Sequence, residues 1–333
     1  MTVKNPPATR SNLFGTLTRF REFGIIIFIL ILAFIVSLRA HYFLTFGNFR
    51  DILVDISILV IVSLAQTMVI LTHGIDLSVG SSIGLVAMMV TYTIKANPSI
   101  PLVGVVLLGM ALGAVLGTFN GLIIAVGKVP PIIATLGTLS IYRGMVFLYS
   151  RGYWISPYQL PNPFKMLSKG TPLGIPNIII YAVIVAILVY YFLNYTRTGR
   201  DIYAVGSNPD AAQYVGIRKQ RIIFLVYVLS GIAAGLAGVL WASRFESAET
   251  STALGFELQT VAASIVGGVS ISGGVGTVPG VLLGALALGM INNAVTLVRI
   301  SPFWEQAAQG LLILVAVVSD TLIMRGVQRN KPK

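Results

Sequence analysis

Asn194–Arg221 reads NYTRTGRDIYAVGSNPDAAQYVGIRKQR, a polar island between two long apolar runs. It carries Arg197, Arg200, Arg218, Lys219 and Arg221, and a basic loop between membrane spans is expected on the cytoplasmic side. Inside it lies a compact helix signal. Ser207 or Asn208 suits the N-cap, Pro209 fits the first helical turn, Asp210 complements the positive helix end, and Gly216 suits the close. The stretch therefore predicts a short capped helix on a cytoplasmic loop, shaped to dock another component.

Working outward, the whole chain supports a membrane setting. Of 333 residues, 56% are hydrophobic and only 10% charged, with 34 glycines, whereas soluble domains carry roughly 25% charged residues. Apolar runs fall near Gly24–Leu38, Ile52–Leu71, Val79–Ile94, Pro101–Val126, Ile132–Tyr149, Ile175–Leu193, Ile222–Ala242, Leu258–Val269, Val278–Val298 and Phe303–Ile323. The expectation is an all-α integral membrane protein with about ten spans, some of them broken or re-entrant. The third and eighth runs are the weakest as full crossings. The first reads as a retained span, because no small-residue cleavage site follows it.

Lys4, Arg10, Arg19 and Arg21 precede the first run, and Arg325, Arg329, Lys331 and Lys333 follow the last. Both termini are thus expected in the cytoplasm, with tails at 1–23 and 324–333 and a membrane domain at 24–323 that includes the 194–221 loop. That topology puts Glu246–Glu257 and Arg151–Pro172 outside, the latter despite its Arg151, Lys165 and Lys169. The formal charge of +12 sits in loops and tails rather than in a nucleic-acid-binding face. Without cysteine, disulfide and thiol chemistry are excluded.

Two apolar regions are interrupted: LTHGIDLSVGSSIG at Leu71–Gly84 and IVGGVSISGGVGTVPG at Ile265–Gly280. Irregular backbone at membrane depth persists where it is buried in protein or lines a wet cavity, and paired interruptions are a transporter habit. Gly113, Gly117 and Gly121, Gly231 and Gly235, and Gly276, Gly280 and Gly284 recur at helical spacing, which favours close helix packing. No phosphate-binding loop, H-E-x-x-H or G-x-S-x-G pattern occurs, so ATPase and hydrolase chemistry have no foothold in this chain.

ILTHGIDLSVGS (Ile70–Ser81), PPIIATLGTLSIYRG (Pro130–Gly144), TGRDIYAVGSNPDAAQYVGI (Thr198–Ile217) and ELQTVAASIVGGVSISGGVGTVPG (Glu257–Gly280) resemble the permease subunits of ribose-type bacterial ABC importers. This second carbohydrate-uptake class includes permeases for ribose, rhamnose and autoinducer-2. The resemblance implies a non-enzymatic permease of the inner membrane, paired with an identical or paralogous second permease. It also implies a sugar-binding protein outside and a tandem-cassette ATPase inside, which uses ATP and Mg. It places Arg200, Gly206, Ser207, Asn208, Pro209, Asp210, Ala212 and Gly216 in the ATPase-coupling segment. RGYWISPYQLP (Arg151–Pro161) and VRISPFWEQAAQGLL (Val298–Leu312) are closer to autoinducer-2 and rhamnose permeases.

Asp76 and Ser78 lie at the first break, where the carboxylate either caps the following helix or faces the solute path. Asn120, Thr135, Arg143, Glu257, Gln259, Asn292 and Asn293 are polar residues in or beside apolar runs. Each either bonds helix to helix or lines the pathway, and Glu257 is a candidate partner for Arg143. His73 and Asp76 alone make no metal site. The competing reading is an ion-coupled secondary transporter, which would need relay carboxylates in mid-span.

Overall fold

A computed structural model describes residues 10–298, together with positions 301, 304, 307, 310, 311, 314 and 318. The tails at 1–9 and 324–333 and most of the expected last run, 303–323, lie outside the described residues. Twelve α-helices occur among them: α1 Arg10–Ser37, α2 Phe46–Leu71, α3 Val79–Ala96, α4 Leu102–Gly121, α5 Pro131–Ser150, α6 Asn162–Lys169, α7 Asn177–Tyr195, α8 Arg197–Ser207, α9 Pro209–Tyr214, α10 Lys219–Phe245, α11 Phe256–Val266 and α12 Val278–Leu297. Seven of these are long and apolar enough to cross a membrane: α2, α3, α4 with the π-turn Leu122–Val126, α5, α7, α10 and α12. Among the described residues these seven are accompanied by two shorter apolar helices at Glu22–Ser37 and Phe256–Val266, while most of the tenth expected run lies outside them. The third run, weak on sequence, forms the 18-residue α3, whereas the eighth is half-length because Gly267 and Gly268 end it.

α2 is the hub. From Ile56 to Leu71 every side chain is buried, and an all-round apolar helix of this kind belongs inside a bundle. α7, α10, α11 and α12 pack around it. α4 and α10 form the most extensive pair, for which the glycine spacing is responsible. Gly113 lies against the backbone of Gly231 and Gly235, and Gly117 against Tyr227 and Gly231. Nothing but hydrogen separates the two backbones there, the packing that small residues allow in lipid. Gly280 and Gly284 bring α12 against Gly267 and Ala263 of α11 in the same way.

The segment between α5 and α7 is sewn to the end of α10. Ser168 donates to Leu240 O (3.1 Å), Ser243 donates to Phe164 O (2.7 Å), and Ile155 bridges Ala248. Lys169 Nζ lies 2.7 Å from Glu246 Oε1, and this hydrogen bond holds the Glu246 carboxyl below its usual range.

Candidate functional site

The polar island folds into two helices rather than one. Thr196 accepts a hydrogen bond from Gly199 N and opens α8, which buries Ile202, Val205 and Gly206 on one face. The signal for α8 was in the sequence, as a threonine cap followed by apolar residues three apart. Asn208 ends α8 and caps α9, its Oδ1 accepting from Asp210 N (3.1 Å) and Ala211 N (3.0 Å). Pro209 starts α9, Ala212 is its buried anchor, and Gly216 turns the chain out at φ 84°. Opposite that anchor, Tyr214 is 91% and Val215 76% exposed. The expected helix thus presents an apolar tip, which the sequence reading had not singled out.

α8 ties this tip to both broken segments. Tyr203 Oη donates to Gly276 O at 2.9 Å, and burial pushes this phenol up to about 12. Gly206 lies flush against Leu71 O at the end of α2 and against Gly274. Gly274 N in turn donates to Leu71 O at 3.0 Å, and Gly273 packs on the ring of His73. A Cβ at Gly206 would stand 2.6 Å from Gly274 N, so no larger residue fits without displacement. The two breaks, about 200 residues apart in sequence, therefore meet on α8.

The first break is locked by a buried polar network. After α2, His73 adopts φ 64° and Gly74 donates to Val69 O. Asp76 Oδ1 then accepts from Ser78 N (3.0 Å) and Ser78 Oγ (2.7 Å), and Asp76 Oδ2 accepts from Ser230 Oγ of α10 (2.9 Å). Asn120 Nδ2 of α4 donates to Ser78 Oγ (2.8 Å), Tyr142 Oη of α5 donates to Leu116 O (2.8 Å), and Thr135 Oγ1 donates to Ile75 O (3.1 Å). Asp76, Ser78, Asn120 and Thr135 are all buried. A carboxylate before α3 also faces the positive end of that helix.

The remaining candidates fall into three places. Arg143 Nη1 donates to Thr250 O and Thr252 O, each at 2.9 Å. Glu257, the expected partner, lies near enough to act on Arg143 through its charge, while the direct hydrogen bonds go to these carbonyls. Gly84 and Gly80, one turn apart on α3, make room for Arg143 and Glu257 respectively. Asn293 is held in a reciprocal amide pair with Asn48, at 2.8 and 2.9 Å. Gln259 and Asn292 line a cavity of about 390 Å³ between α2, α10, α11 and α12.

Residues 48–317 match the family described as branched-chain amino acid transport system / permease component. The autoinducer 2 import system permease protein LsrC of Salmonella typhimurium is 38% identical over 82% of this chain and 78% of its own. LsrC of Enterobacter sp. is 35% identical over 95% and 91%. The ribose import permease protein RbsC of Escherichia coli K12 is 37% identical over 89% and 92%. No solved structure matches the chain. With long apolar helices, two interrupted segments and a match across most of its length, the chain belongs to the branched-chain amino acid transport system / permease component family.

Proposed function

We propose that this chain is the multi-pass permease subunit of an ATP-driven importer for a small sugar-like solute of the ribose or autoinducer-2 kind. In this reading α8 and α9 face the cytoplasm and both termini lie on that side, as the basic loop and tails require. The exposed Tyr214–Val215 tip docks on a separate ATPase, which binds ATP and Mg. A solute-binding protein delivers cargo to the opposite face, and a second permease, identical or paralogous, completes the pathway.

One observation carries the reading: a short capped helix with an apolar tip is tied by backbone contacts to both interrupted helices. Movement of a partner gripping α9 passes through Gly206 and Tyr203 to the ends of α2 and the 267–277 loop. Displacement of those two segments reshapes the route between them. Broken helices packed in protein, rather than in lipid, are able to make such shifts without exposing backbone to hydrocarbon.

The test is uptake by the chain co-reconstituted in proteoliposomes with the ATPase that co-purifies with it. Replacing Asn208–Asp210 by Gly-Ser-Gly should abolish ATP-dependent uptake while leaving membrane insertion and thermal stability intact. Undiminished uptake by that variant overturns the coupling role of α9. Solute uptake by the chain alone, driven by an ion gradient, overturns the importer reading.

A further inference from the structure

The cavity that holds Gln259 and Asn292 has the chemistry of a solute site. At about 390 Å³, it falls within the range of small-molecule pockets, roughly 300–1,000 Å³. One wall is aromatic: Trp241 packs edge-on to Phe256 with ring centroids 5.2 Å apart. Such faces cover the C–H surface of a compact ring. Also lining it are the amides of Gln259 and Asn292 and the Asp55–Arg244 ion pair, with Arg244 one turn from Trp241 and Gln259 one turn from Phe256.

The donors and acceptors divide unevenly. Arg244 is spent on α2, since Nη1 donates to Val54 O (2.9 Å) and Asp55 O (3.3 Å) while Nη2 pairs with Asp55 Oδ1. Asp55 Oδ2 and both amide atoms of Gln259 make no hydrogen bond to the described residues. The cavity thus offers acceptors at Asp55 and Gln259 and a donor at Gln259, the mixture that hydroxyl groups need because each both donates and accepts. The two formal charges cancel, so a charged solute gains no counter-ion and pays desolvation. Gly289, also in the lining, adds no bulk.

We propose that this cavity, within a single permease chain, is a low-affinity site for a neutral polyhydroxylated solute of monosaccharide size. The inference rests on the importer reading and adds to it a place where cargo pauses. Few fixed hydrogen bonds make binding weak, which suits a pathway whose occupant must leave.

The chain has three tryptophans, so Trp154→Phe and Trp304→Phe leave Trp241 as the sole reporter. This full-length variant in lipid nanodiscs is titrated with D-ribose, L-rhamnose and, as an apolar control, hexanol. The expected result is a saturable change in Trp241 emission with the sugars in the millimolar range. Gln259→Leu should raise the midpoint about five- to tenfold, the loss of one or two modest hydrogen bonds. Asp55→Asn, which keeps an acceptor for Arg244, provides a second variant if Gln259→Leu does not fold, and its midpoint should rise as well. A flat response to both sugars overturns the proposal, and so does an equal response to hexanol that Gln259→Leu leaves unchanged. The importer reading fails separately. ATP-driven uptake with a silent cavity sinks the site alone, whereas saturable binding without ATP-driven uptake keeps the site and sinks the importer.

Discussion

Asp76 accepts three hydrogen bonds, two from Ser78 and one from Ser230, and each comes from a group with no route to water. Its role at this scale is to close the turn that lets α3 begin. Asp76→Ala would leave Ser78 and Ser230 short of an acceptor, at a cost of about 1–3 kcal/mol, and should lower the yield of folded protein in mild detergent. Asp76→Asn keeps an acceptor at Oδ1 for the Ser78 N–H and hydroxyl, and its amide can donate to the Ser230 hydroxyl once that group rotates, so uptake should be retained within about twofold. Loss of uptake in a well-folded Asp76→Asn protein would instead indicate that the ionised carboxylate takes part in transport. Both roles for Asp76 could be stated from IDLSVG, because a carboxylate two residues before a helix N-cap is a local signal. Ser230 could not be foreseen as its partner, since that bond spans 154 residues. The same limit explains Arg143: its charge demanded compensation, and the tertiary fold supplies it from two backbone carbonyls and the nearby Glu257.

At the scale of elements, α9 was the most legible part of the chain. Asn208, Pro209 and Gly216 specify a start, a first turn and an exit within nine residues, each by a local mechanism. The apolar tip and the attachment of α8 were less visible. Exposure of Tyr214 depends on what Ala212 packs against, and Gly206 looks in the sequence like any other helical glycine. Gly206→Ala should hold the end of α2 away from Gly274, with a cost of about 1–3 kcal/mol typical of overpacking. The expected outcome is a folded permease whose ATP-dependent uptake falls at least tenfold while ATPase association, measured by co-purification, is retained. Equal uptake by wild type and variant would show that the contact at Gly206 carries no motion.

For the whole molecule, composition and apolar runs gave the class of the protein and most of its helices, because a membrane crossing is written in some twenty consecutive residues. Span count was less readable. α11 stops at Val266 where Gly267 and Gly268 break the helix, so the chain completes that passage as irregular backbone stitched to α2. The glycine spacing foretold close packing but not which helices would meet. Gly113→Val drives a branched side chain into the backbone of Gly231 and Gly235, and should strip the α4–α10 pair of its contact. The predicted result is a fall of several degrees in detergent melting temperature, with aggregation on further heating. A variant as stable as the wild type would mean that the pair tolerates wider spacing. The contact between Gly206, Leu71 and Gly274 has a further consequence. Side-chain interfaces absorb small displacements by rotamer hops within nanoseconds, whereas main chain pressed on main chain offers no such give. A linkage of this kind has almost no backlash, so even a sub-ångström stroke at one end arrives at the other.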